Sequence, residues 1–402
     1  MKYIIVIGDG MGDYPVDSLR GLTPLEYAAT PNLDRLAQKG LIGCVSTVPP
    51  GMTPGSDVAI MSLMGYNPKG VLTGRGPLEA LAQGVTLSEG DLAFRLNLVT
   101  MEWGNYTIIR NHAAGDIPSS EAGQIIQTLT ERMPLTKGQS IHQGISYRHV
   151  FVWPEAPSGL PSIPPHDYLD KPIDFFLNNQ DSKPLADLIR ASWPILIDHS
   201  VNQSRRSRGL PPANSIWLWG QGRVPKVKTY LDRWGLTGAT VSAVDIIRGL
   251  GLATGLAPKN VVGATGLLDT NYGGKVEAAL EALETGDLVV VHLEAPDEAS
   301  HQGNLDDKIA AITNLDQKIV GPIIAKLTEK NWPFKMLAAC DHYTPIRLKT
   351  HSNDPVPFII YDSTNEKDSG AAGYSENSCA ATGLLVEDGP HLANLFFGQP
   401  KE

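Results

Sequence analysis

Four short apolar runs without polar alternation constrain this chain most. They are YIIVI from Tyr3, DLVVVHLE from Asp287, FKMLAAC from Phe334 and PFIIYD from Pro357. A strand that is apolar on both faces must be covered on both, so such runs read as buried parallel strands. Helical patterns lie between them. GKVEAALEALETG starts at Gly274 and stops at Gly286, and LDDKIAAITNLDQKIVGPIIAKL starts at Leu305 with apolar residues at helical spacing. Strands alternating with helices imply an α/β fold with a doubly wound, mainly parallel sheet.

The stretch from about Leu78 to Val224 differs. It is punctuated by turn clusters such as WPEAPSGLPSIPPHD and RRSRGLPPAN. With 402 residues, the chain exceeds what one core usually serves. We therefore expect residues 1–77 and 225–402 to form one domain, and residues 78–224 a second, inserted α/β domain.

Charge narrows the function classes. Lys and Arg number 33 against 43 Asp and Glu, a net of -10. That balance argues against a nucleic-acid partner and against an anionic membrane surface. No apolar stretch approaches membrane-span length, and the first apolar run is too short for a signal-peptide core. Cys44, Cys340 and Cys379 form no C-x-x-C pair and read as reduced thiols. The expected compartment is the cytoplasm; the oligomeric state is left open.

Acidic residues and histidines gather at or just past the C-terminal ends of the strand runs, where open α/β sheets place ligands. Asp9 follows YIIVIG, Asp297 and His301 follow VVVHLEAP, Asp341 and His342 follow MLAAC, and His351 precedes the last run. Asp297 and His301 are four apart, so on a helix they share a face and can grip one ion. Asp341 and His342 are adjacent, so their side chains should diverge toward two neighbouring ions. Mixed carboxylate and imidazole donors suit Mn or Zn. Taken singly, a D-x-x-x-H match is usually a solvated helix face and an Asp-His pair usually a cap. The coincidence at three strand ends carries the metal reading.

Ser56 lies in TVPPGMTPGSDVAIMSLMGY, after a Pro-Gly break and before a helical pattern. A serine there is most simply an N-cap. It could also meet a phosphate at the helix N-terminus and, beside a metal, act as a nucleophile. Two other signals are set aside. GDGMGD has Asp13 where a dinucleotide fingerprint needs its last glycine, and no P-loop motif occurs. Lys275 at the start of its helix reads as solvated or as a phosphate contact. Trp217 and Trp219 read as core. His112, His142, His149, His166 and His199 show no ligand spacing.

The ordered set VIGDGMGD, TPLEYAATPNLDRLA, MTPGSDVAIMSLMGYNP, TGRGPLEAL, GDLAFRLNLVT, GATGLLDTNYGGK, HLEAPDEASHQG, CDHYTPI and HSNDPVPF resembles the archaeal-type cofactor-independent phosphoglycerate mutases of the alkaline-phosphatase superfamily. The resemblance spans nearly the whole chain. It implies an alkaline-phosphatase-like domain and two divalent metal ions: Mn, with Zn, Mg or Co as alternatives. Asp9, Ser56, Asp341 and His342 would hold one, and Asp297, His301 and His351 the other. Ser56 would be the nucleophile that becomes phosphoserine. The reaction would need no 2,3-bisphosphoglycerate, and the ligand would be a small phosphorylated metabolite. Arg75, Arg95, Arg110 and Lys275 are the expected substrate-binding cations.

One segment departs from the mutase pattern. Where such mutases tend to carry an Arg-rich DRRAGR-like piece, this chain reads IRNHAAGDI, with His112, Ala113 and Asp116 in place of arginines. Arg148, Arg205, Arg206 and Arg208 remain. PPHDYLDKPIDFFL and LPPANSIWLWGQG are similar to a bacterial subgroup proposed to be homoserine kinases. The resemblance therefore implies 2-phosphoglycerate to 3-phosphoglycerate interconversion, with transfer to another small hydroxylated metabolite such as homoserine as the alternative.

Overall fold

The computed structural model describes residues 1–401. Thirteen strands run along the described chain: β1 (Lys2–Gly8), β2 (Leu41–Val45), β3 (Leu92–Trp103), β4 (Thr107–Asn111), β5 (Ser140–Ile145), β6 (Arg148–Trp153), β7 (Ser215–Gly222), β8 (Gly238–Val241), β9 (Ala257–Lys259), β10 (Leu288–Leu293), β11 (Phe334–Cys340), β12 (Val356–Asp362) and β13 (Leu385–Val386). Ten helices matter below: α1 (Pro31–Gln38), α2 (Ser56–Leu63), α3 (Gly76–Ala82), α4 (Ser119–Arg132), α5 (Lys183–Leu196), α6 (Tyr272–Thr285), α7 (Ala295–Gln302), α8 (Leu305–Leu315), α9 (Gly321–Glu329) and α10 (Glu376–Ala381). The chain divides into two units: Met1–Val71 with the chain from Lys226 onward, and Leu72–Pro225. No helix among the described residues is long and apolar enough to cross a membrane.

The first unit is built on an eight-stranded sheet ordered β13-β2-β12-β11-β1-β10-β8-β9. β1 lies between β10 and β11, parallel to both. Ile4, Ile5, Val6 and Ile7 are almost wholly buried, as are all six residues of β10. Each such side chain contributes about 1.5–3 kcal/mol on burial, which explains why these runs lack polar alternation. β12 departs from the expectation of parallel strands: it is antiparallel to both β11 and β2. The chain between β11 and β12 contains no crossover helix, so it returns at the same end of the sheet and must reverse direction. The long helical pattern from Leu305 is interrupted by a π-turn over Asp316–Val320 between α8 and α9. There the Asp316 carboxylate turns out to cap α1, accepting from Leu33 N at 2.7 Å and Asn32 N at 3.2 Å.

The second unit is a five-stranded, wholly antiparallel sheet in which β3 pairs with β4, β6 and β7. One face carries Phe94, Leu96 and Leu98, packed with Ile125 and Leu129 of α4 and Leu185 and Ile189 of α5. The alternating residue Ala93 faces the other way and packs with Ala80 of α3, Val150 and Val152. Arg95 and Asn97 continue that second face by strand periodicity.

Candidate active site

Register explains why the acidic residues converge. Gly8 is level with Leu293 and with Cys340 across the two parallel ladders. The residues that follow, Asp9, Glu294 and Asp341, therefore leave the sheet side by side. Asp297 and His301 come one turn later, on α7. Because β12 is antiparallel, the segment before it stays at this end and delivers His351.

The two halves of the site are distinct in geometry. Asp297 Oδ2 lies 3.1 Å from His301 Nε2, and Asp297 Oδ1 lies 3.6 Å from His351 Nε2. The two imidazole Nε2 atoms are 3.0 Å apart. Each ring turns its Nδ1 to a backbone carbonyl, His301 to Lys349 O at 3.0 Å and His351 to Pro54 O at 3.3 Å. A carbonyl only accepts, so Nδ1 donates in both rings and both Nε2 atoms are left turned toward Asp297 and toward each other. Carbonyl-anchored imidazoles of this kind are the usual setting of metal-ligating histidines.

In the other half, His342 Nε2 lies 3.2 Å from Asp341 Oδ2, 3.4 Å from Ser56 Oγ and 3.6 Å from Asp9 Oδ1. Asp341 and His342 thus do not diverge as expected. Asp341 Oδ1 accepts from Gly10 N at 3.0 Å and His342 N at 2.9 Å, and these bonds turn the carboxylate back toward its neighbour's ring. Asp9 Oδ1 and Asp341 Oδ2 are buried and have no hydrogen-bond partner. Orphaned buried carboxylate oxygens are costly, and a cation is the partner that would satisfy both. Two groupings have donor atoms close enough to share an ion: Asp297, His301 and His351, and Asp9, Asp297 and His342. Asp297 belongs to both. These residues fit divalent cations.

Electrostatics follow from the crowding. Burial, reinforced by the charges of Asp341 and Asp297, pushes the Asp9 carboxyl well above its ordinary range. Burial would raise Asp297 too, but hydrogen bonds from His301 and His351 hold it well below. The Asp297 contact raises His301 to about 9. Burial lowers His342.

Ser56 is the first residue of α2, and Gly55 occupies the cap position with extended backbone. The serine hydroxyl makes no capping bond, so the simple N-cap role does not apply. Val58 through Leu63 are buried, which holds this helix end rigidly against the first unit.

Sequence reasoning missed three supporting groups. His292 on β10 is fully buried, with Nε2 2.8 Å from Asp9 Oδ2 and Nδ1 3.0 Å from Ser242 Oγ. A histidine inside the run VVVHLE was the available signal. Thr344 Oγ1 donates to Asp297 Oδ1 at 2.5 Å and lies 3.2 Å from His342 Nδ1. Thr47 Oγ1 donates to Asp341 O at 2.6 Å. Lys275 is not solvated: it is buried on α6, donates to His292 O at 3.1 Å, and burial lowers it to about 8.

The arginines lie in the second unit. Arg95 is buried, with its guanidinium 4.3 Å from the Trp219 ring centroid and Nε 3.1 Å from Glu79 Oε1. The charge of Arg75 bears on Arg95 and on His166. The His166 ring lies 5.4 Å from Trp219 and 6.2 Å from His112, and His112 lies 5.9 Å from Tyr147. Burial lowers both histidines. Arg110 stands apart from this group, at the sheet edge, bonded to Glu102 at 2.9 Å and Asp170 at 2.7 Å.

Residues 37–202 match the family model described as 2,3-bisphosphoglycerate-independent phosphoglycerate mutase. A probable 2,3-bisphosphoglycerate-independent phosphoglycerate mutase of Geobacter sulfurreducens is 45% identical over 98% of this chain and 99% of its own length. The chain belongs to the 2,3-bisphosphoglycerate-independent phosphoglycerate mutase family. Another member, from Methanothrix thermoacetophila, is also 45% identical, over 98% of this chain and 99% of its own. Among solved structures, the cofactor-independent phosphoglycerate mutase from Thermoplasma acidophilum aligns over 98% of this chain and 99% of its own, with 26% identity and a TM-score of 0.66. A Pyrococcus horikoshii protein aligns at a TM-score of 0.83 with 28% identity, over 98% and 96%.

Proposed function

We propose that this chain interconverts 2-phosphoglycerate and 3-phosphoglycerate by phosphoryl transfer through Ser56, without 2,3-bisphosphoglycerate. The observation that carries the reading is Ser56 Oγ at a helix N-terminus, 3.4 Å from His342 Nε2, beside buried carboxylate oxygens that lack partners. Family membership at 45% identity over nearly the whole chain supports it.

Asp9, Asp341, His342 and Ser56 would hold one divalent ion and Asp297, His301 and His351 the other, Mn being the first choice by donor type. Bound there, the ions would act as Lewis acids, acidifying the serine hydroxyl and neutralising charge on the transferring oxygens. The chain's own groups do the rest. Ser56 Oγ attacks phosphorus, a serine phosphate ester forms, and the bond to the glycerate oxygen breaks. The other glycerate hydroxyl then attacks the ester and releases Ser56. The start of α2 turns the positive end of its helix dipole toward the phosphoryl oxygens. His292 fixes Asp9, and Thr344 fixes Asp297. Arg75 and Arg95 are the cations offered to the substrate carboxylate, with the neutral rings of His112 and His166 as adjacent donors. The cytoplasm is the compartment that fits three free cysteines.

A second reading is favoured by one observation. Arg110 is already bonded to two carboxylates, and His112 stands where arginines are expected, so fewer cations serve a carboxylate. That suits a less anionic acceptor such as homoserine, with a nucleotide as phosphoryl donor. The deciding experiment gives metal-loaded protein either 3-phosphoglycerate alone or homoserine with ATP. Formation of 2-phosphoglycerate without nucleotide supports the mutase. Phosphohomoserine formed only with ATP, and no mutase turnover, overturns it.

A further inference from the structure

The loop carrying Asp9 and the loop carrying Asp341 and His342 are joined by groups outside the donor cluster. Met11 and Gly12 bridge to Tyr343, and Thr344 N donates to Gly12 O at 3.2 Å. Against them packs Lys308 of α8, whose side chain is wholly buried. Its ammonium donates to Asp13 Oδ2 at 2.9 Å, Thr344 O at 3.0 Å and Gly12 O at 3.3 Å. An ammonium has three protons, and here two go to the first loop and one to the second.

Asp13 is equally occupied. Its Oδ2 also accepts from Ile346 N at 3.0 Å, its Oδ1 accepts from Tyr14 N at 2.7 Å, and its own N–H donates to Glu376 Oε1 at 3.1 Å. The carboxylate therefore grips both loops as well. A buried ion pair is a poor source of net stability, because desolvation offsets most of the attraction. What it does supply is a fixed distance between the groups it bonds. Here those groups lead directly to the donors: Thr344, held by its carbonyl, turns its hydroxyl to Asp297 and His342.

We propose that Lys308 and Asp13 are a positioning pair, setting the spacing between the Asp9 loop and the Asp341–Thr344 loop and thereby the affinity for divalent metal. The proposal rests on the metal reading above. Neither residue belongs to the two donor groupings; both act through the loops they bond.

The test separates positioning from bulk stability. Lys308→Met alone leaves Asp13 buried and uncompensated, so it should be unstable or fail to fold. The double variant Lys308→Met with Asp13→Asn removes both charges and should regain that stability. Cobalt(II) and manganese(II) binding are followed by calorimetry and by the visible absorption of bound cobalt, with folding checked by circular dichroism. The expected result is a folded double variant that binds either ion about tenfold or more weakly, with an altered cobalt spectrum. A folded double variant with wild-type affinity and spectrum overturns the proposal. So does a double variant that cannot fold, since the pair would then serve global stability. A folded wild-type chain that takes up neither ion sinks the metal reading instead.

Discussion

At the scale of single residues, Ser56 and Glu376 make opposite kinds of demand. Ser56 is partly exposed at a helix start and contributes little to packing. Ser56→Ala should therefore leave folding and most metal binding intact while lowering turnover by about a thousandfold or more. Mass spectrometry of protein quenched during turnover should find phosphate on the Ser56 peptide of the wild type only; its absence under single-turnover conditions argues for direct transfer between substrates. Glu376 is buried beneath Asp13 and Thr23, bonded to Asp13 N at 3.1 Å and Thr23 Oγ1 at 2.7 Å. Burial raises its carboxyl from 4.5 to about 7. The folded state therefore holds this proton more tightly than the unfolded chain. The contribution is complete below pH 4.5 and is lost as pH rises toward 7, at about 1.4 kcal/mol per unit, or on the order of 3 kcal/mol in all. Glu376→Gln removes the titrating proton while keeping the side-chain shape and one accepting oxygen, and should flatten this slope. Urea unfolding of both proteins at pH 5 and pH 8 measures the difference; parallel slopes would reject it.

At the scale of elements, the site is made by loops whose shape small residues permit. Gly10 has φ of 59°, and a Cβ there would meet Asp297 Oδ1 at 2.5 Å and Thr344 Oγ1 at 2.6 Å. Gly10→Ala should cost about 1–2 kcal/mol for the left-handed backbone alone. It should also push Asp297 away and weaken manganese binding at least tenfold. Manganese titration followed by electron paramagnetic resonance checks this, and unchanged affinity would count against the placement of Asp297. Strand direction matters at the same scale. The apolar run PFIIYD was legible as a buried strand, but its antiparallel direction was not, because periodicity carries no sign. That direction is what keeps His351 at the donor end of the sheet.

At the scale of the whole molecule, three buried carboxylates in one cluster tie the stability of the first unit to its cations. Metal that binds only the folded chain should raise stability by about 2.7 kcal/mol at a hundredfold excess over its dissociation constant. Chelation should therefore lower the melting temperature reversibly, and added Mn should restore it. A melting curve indifferent to chelator would remove the structural role of the cations. The mainly parallel sheet of the first unit was readable from its unalternating apolar runs. The second unit was not readable in that way: its strands are antiparallel, both faces of β3 are covered so polar Arg95 and Asn97 are buried among apolar residues, and turn residues obscure the periods.

What the sequence determined by itself was the order of the chemistry: which strands are buried, and which carboxylates and imidazoles follow their ends. Those follow from local pattern, because burial on two faces and helical spacing are written in consecutive residues. What only the tertiary structure decided was pairing across distance. His292 reaches Asp9, Lys308 reaches Asp13 and Thr344, and Lys275 is buried rather than solvated, because ladder register and helix packing bring together residues far apart in the chain. Asp341 and His342 illustrate the limit most directly. Adjacency implied that they diverge, yet hydrogen bonds from Gly10 N and His342 N rotate the carboxylate back, and no local pattern records that turn.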